Sequence, residues 1–277
     1  MEAPAAVLAV VLLEAAVGGS AVLWMAPTWG AVRHGYEILL GATLGFLSLA
    51  ALAAMRAPLN AVADSAPVWA AWTARGLAVT TAAAVASPIL IAVRAPFVGR
   101  LAGIAATLLG IMTFVPLAQL RAGLGRGGAG VATGVLELMF GAFFLGAVVV
   151  GLVLGHWYLI ERRLSNRYML WIAWLNVAAV AAGLGSIVLS IRNPVPCAGL
   201  AGLELQNCLL TYSPLLSVGS VTVVMGIGLL AVVAMIAAFN VRLAWEGGRS
   251  IQASTGMFYL AVILAPAAEF AAKVRFF

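Results

Sequence analysis

The residues whose chemistry stands out first are the two histidines, His34 and His156, the only ones in the chain. His34 lies in Val32–Leu40 (VRHGYEILL), with Arg33, Tyr36 and Glu37 around it. His156 lies in Leu154–Arg163 (LGHWYLIERR), followed by Trp157, Tyr158, Arg162 and Arg163. Neutral imidazoles on two facing helices can hold the iron of a b-type haem. They can equally bond a quinone carbonyl and pass protons near neutral pH. The nearby arginines would steady propionates or a quinol anion. Glu37, one turn from His34, would orient its ring or relay a proton. Gly155 removes a side chain beside His156, leaving room for a flat ring. The plainer alternative is that His, Trp and Tyr settle at a membrane interface because their rings are amphipathic.

Charged residues inside apolar runs form the second set, because a charge at membrane depth is costly and marks function by default. Glu14 stands near the centre of the first run and Arg75 about a third of the way into the third. Their depths are close, so a Glu14–Arg75 pair would cancel both charges. Such a pair is either a structural lock between two helices or a proton-accepting carboxylate governed by its arginine. Glu137, about a turn into the fifth run, is expected to reach water. Glu269 and Lys273 have the spacing of an intrahelical ion pair.

The elements that must position these residues follow from composition. The 277 residues are 64% hydrophobic and 9% charged, against roughly 45–50% and 25% in soluble domains. That excludes a soluble enzyme, a disordered chain and a disulfide scaffold. About 20 apolar residues cross a bilayer as a helix, and none of these runs alternates as a barrel strand would. The pattern predicts an all-α polytopic bundle, one domain of about eight transmembrane helices: 4–25, 34–55, 67–93, 100–120, 132–160, 168–191, 214–240 and 252–274. The first run starts MEAPAA and carries Glu14, so it is not expected to be a cleaved signal peptide. No internal repeat is legible between the two halves.

Eight crossings put both termini on one side. Six basic residues lie near that side (Arg56, Arg121, Arg126, Arg192, Lys273, Arg275) and eight near the other, a bias that places the termini outside. Cys197 and Cys208, the only cysteines, share the connection 192–213 on the terminus side and are expected to form a disulfide. The net charge of +6 sits in single residues between apolar runs, with no stripe to neutralise phosphates, so nucleic acid is not an expected partner. Gly123–Gly130 (GLGRGGAG) has neither the Lys-Ser/Thr ending nor the preceding strand of a phosphate loop. No nucleophile motif, zinc motif or acidic metal cluster appears.

Two functions remain in view. One is a membrane-anchor subunit of a respiratory electron-transfer complex in a bacterial cytoplasmic membrane. It would offer a quinone or haem b site near the inner face, built from His34, His156 and their neighbours, and would need partner subunits for catalysis. The other is a small-solute or ion transporter using Glu14 and Arg75. A non-catalytic assembly or scaffold protein is the remaining alternative.

Overall fold

A computed structural model describes residues 3–25, 32, 34–126, 130–161, 164–192, 197, 199–212 and 221–274. Eight helices in it are long and apolar enough to cross a membrane: α1 (Ala3–Met25), α2 (His34–Val62), α3 (Pro67–Ala92), α4 (Pro96–Arg121), α5 (Gly130–Ile160), α6 (Arg167–Ile191), α8 (Val221–Glu246) and α9 (Ser250–Lys273). The chain is therefore an all-α integral membrane protein, as its composition predicts. A short helix, α7 (Gly202–Tyr212), lies in the connection before α8 and was not expected. The Cys197–Cys208 disulfide ties that helix back to the chain leaving α6.

Helix ends follow local chemistry. Proline opens α3 at Pro67 and α4 at Pro96, where its missing N–H has no helical partner to lose. α8 outruns its expected end at 240. Arg242 and Glu246 pair across one turn at 3.3 Å, and Gly247 then adopts φ +68°, the left-handed geometry that stops a helix. Residues 213–220, which include the start of the seventh expected helix (214–240), lie outside the described residues.

The packing order repeats. α1 packs on α2, α2 on α3, α3 on α4, and α4 returns to α1. In the second half α5 packs on α6, α6 on α8, α8 on α9, and α9 returns to α5. The halves meet along α1 and α5, with α4 against α5 and α9 against α1. Each half has four crossings, so both begin on the same side of the membrane, as in a parallel repeat. The sequence hides this order because nearly every helix is apolar all round.

The α1–α5 crossing depends on missing side chains. A Cβ at Gly18 would lie 1.7 Å from the Ala142 carbonyl oxygen, and one at Gly146 would lie 2.1 Å from the Gly18 carbonyl carbon. Backbone meets backbone here, the contact that small residues permit between membrane helices. α1 and α5 are also the most enclosed of the long helices. Gly18→Val should therefore force the halves apart, destabilising by at least the roughly 3 kcal/mol that severe overpacking costs. A thermal melt in detergent should fall well below wild type, while Gly228→Ala, where a Cβ meets open space, should melt near wild type.

Candidate functional site: a buried carboxylate–cation cluster

The four helices at the junction of the halves each bring charge into it. Glu14 comes from α1, Arg121 from the end of α4, Glu137 from α5, and Glu269 and Lys273 from α9. All five side chains are at most 1% exposed. Lys273 Nζ lies 2.8 Å from Glu269 Oε1, 3.2 Å from Glu14 Oε1 and 3.3 Å from Glu137 Oε1. It also donates to the Ser186 hydroxyl on α6 at 2.9 Å, and that hydroxyl donates to Glu269 Oε1 at 2.6 Å. Arg121 Nη1 donates to Glu137 Oε2 at 3.3 Å.

The pairing crosses between the halves. Lys273, at the end of the fourth long helix of the second half, holds Glu14 from the first helix of the first half. Arg121, at the end of the fourth helix of the first half, holds Glu137 from the first helix of the second half. Each glutamate opens the same short pattern: Leu13-Glu14 with Gly18-Gly19, and Leu136-Glu137 with Gly141-Ala142. That shared spacing is the one sequence signal that could have exposed both the repeat and the cluster.

Gly141 makes the space for two of the carboxylates. A Cβ there would come within 2.6 Å of both Glu14 Oε1 and Glu269 Oε1. Burying these charges costs several kcal/mol per ion before pairing, and the cluster offsets this by close opposite charges in a medium of low dielectric. Among the described residues it contains three carboxylates and two cations. Glu14 Oε2 and Glu269 Oε2 are buried and accept no hydrogen bond among the described residues.

The Glu14–Arg75 pair does not form. Glu14 faces Lys273 instead, and Arg75 is exposed on the outer face of α3, its guanidinium 5.6 Å from the Trp72 ring centre. Glu137 does not reach water: packing of α4 and α9 against α5 encloses it completely. The Glu269–Lys273 pair forms as its spacing predicts.

The histidine end is arranged differently from its expected geometry. His34 and His156 are both exposed. His156 Nδ1 lies 3.5 Å from the Tyr259 hydroxyl on α9. Thr255, also on α9, fills the space beside Gly155, where a Cβ would stand 2.7 Å from its hydroxyl oxygen. Trp157 turns the other way, packing on Gly35 and, at 6.1 Å between ring centres, on Tyr36. Glu37 is buried and held by Arg100 of α4 through two bonds, at 2.8 and 3.3 Å, so it acts as a tie between α2 and α4. Tyr158 is a strut: its hydroxyl donates to the Ser165 carbonyl and accepts from the Met169 amide at 3.2 Å. Arg33 and Arg162 lie outside the described residues.

Comparison with protein-family models, with curated proteins and with solved structures gave no match to this chain.

The cluster's charges depend on one another. Glu137→Ala should leave Arg121 without this carboxylate and destabilise the protein by about 3–5 kcal/mol, the range for breaking a buried ion pair. Combining it with Arg121→Met should recover most of that loss, measured as melting temperature in the same detergent. Loss of stability equal to the sum of the single variants would show that the two side chains act independently.

Proposed function

We propose that this protein is a proton-coupled transporter of a small solute, with the Glu14–Glu137–Glu269–Lys273 cluster as its proton-exchange site. The observation that carries this reading is Lys273 within 3.3 Å of three fully buried carboxylates drawn from three helices. Charges so placed are expensive in a membrane and are retained where ions or protons move. Carboxyls crowded round one ammonium compete for it, so a small shift of Lys273 changes which of them binds a proton. The cluster also lies where the two halves meet, the place at which one repeat rocking on the other would open a site to alternate sides.

A small pocket between α6, α8 and α9 lies one helical turn beyond Ser186. Its volume of about 10 Å³, lined by Ser190, Thr222 and Ala272 among others, is close to the least that holds one water. The Thr222 hydroxyl is buried and unpartnered among the described residues, and Ser190 lies one helical turn from Ser186. The Ser190 hydroxyl itself donates to the Ala272 carbonyl.

A second reading keeps the chain as the membrane anchor of an electron-transfer complex, in which the cluster takes protons from a quinol. The Trp157 indole N–H favours it: it is buried without a hydrogen-bond partner among the described residues, beside Tyr36, and can donate to a quinone carbonyl. Haem b and partner subunits belong to this reading alone. Orientation supports the termini outside in either case. Arg121 and Lys273 are buried, so they leave the six basic residues of the terminus side as four, against eight opposite. The disulfide fits the same oxidising side, and we propose a bacterial cytoplasmic membrane as the location.

The test is infrared difference spectroscopy of the protein in lipid vesicles during a pH step. A protonated-carboxyl band that titrates, and that is lost in Glu269→Gln or Glu14→Gln, is the expected result. A folded wild-type protein with no titrating carboxyl in the bilayer would overturn the exchange site. Bound quinone in the lipid extract, with proton release on its oxidation, would decide for the second reading.

A further inference from the structure

We infer that the groove between α3 and α4 is a binding site for one anionic phospholipid, with Arg75 holding the phosphate. The groove has a volume of about 330 Å³ and is lined by Trp69, Trp72, Arg75, Met112, Thr113 and Pro116 among others. That volume lies within the range of small-ligand sites. The groove opens on the outer face of the bundle, where Trp72 and Met112 are more than half exposed.

Arg75 meets no acidic side chain among the described residues, its recorded neighbour being the Trp72 ring, and it sits within a membrane-spanning helix. It stands eight positions after Pro67 at the start of α3, about 12 Å along the axis. At that depth a guanidinium facing hydrocarbon needs an anion, and an arginine reaches for the interface to find one. The Trp72 ring lies under the guanidinium at 5.6 Å and holds it over the groove by cation–π attraction. A phosphate accepts the planar fork of arginine through two bonds. An acyl chain then lies along Met112 and Pro116.

Local backbone chemistry keeps the groove floor as it is. Pro116 has no N–H, so the Met112 carbonyl lacks its helical donor. The Thr113 hydroxyl is occupied, donating to the Leu109 carbonyl at 2.7 Å, so it does not compete for the headgroup. No acidic residue is among those lining the groove, so nothing there offsets the charge of Arg75 or attracts the cation of a zwitterionic headgroup. That charge balance selects an anionic headgroup.

The experiment is native mass spectrometry of the full chain, released from nanodiscs containing equal phosphatidylglycerol and phosphatidylcholine. Wild type should retain one phosphatidylglycerol, preferred by about fivefold, the factor one basic residue supplies near an anionic headgroup. Arg75→Gln, on an exposed face where folding is undisturbed, should lose the preference, and Arg75→Lys should keep most of it. An unaltered preference in Arg75→Gln with an unchanged melting temperature would overturn the site. So would retention of a quinone in place of phospholipid, or of no lipid at all by wild type.

Discussion

The structure depends on opposite charges held together where water is excluded. Lys273 reaches three carboxylates and Arg121 reaches one of the same three. None of these ions is tolerable alone at this depth, so each specifies where the others must be. Apolar packing cannot supply such specificity in a bilayer, because lipid tails are as apolar as leucine. The charges therefore set the register of α1, α4, α5 and α9. The glycine contact between Gly18 and Gly146 sets how closely the two halves approach.

The crossed pairing gives the bundle a second property. Each half contributes a glutamate from its first helix and a cation from the end of its fourth, and each cation crosses to the other half's glutamate. Lys273 also pairs within its own half, with Glu269 and Glu137, so the crossed contacts add to a cluster already tied together there. The same arrangement lets movement between the halves alter the ion pairs, since Glu14 and Glu137 lie on opposite sides of the joint. Stability and the proposed proton exchange would draw on the same contacts, and Gly141 is their shared requirement: its missing Cβ leaves space for Glu14 and Glu269 around one ammonium.

The histidine end shows how far local pattern carries. His34 and His156 lie at corresponding depths with the same kinds of neighbour, and depth is a property that residue counting recovers. Rotation is not. A residue and its successor point about 100° apart on a helix, so Trp157 packs on α2 while His156 meets α9. Glu37 faces Arg100 of a helix far along the chain, a partner that one-turn spacing does not reveal.

What the sequence determined by itself is the solvent and the class of fold: long apolar runs with few charges make a helical membrane bundle, because a bilayer leaves backbone polar groups no other partner. It also determined the i, i+4 pair of Glu269 with Lys273, which is local, and the cysteine pairing, which had a single combination. The tertiary structure alone decided that Glu14 meets Lys273 rather than Arg75, that Glu137 and Arg121 are buried, and that four helices repeat as four. Matching depth made Arg75 a reasonable partner for Glu14, but α3 turns that arginine outward. The physical reason is that an all-round apolar helix carries no mark of which face meets its neighbour. Only the assembled helices, through backbone contact at glycine and the mutual need of buried charges, choose it.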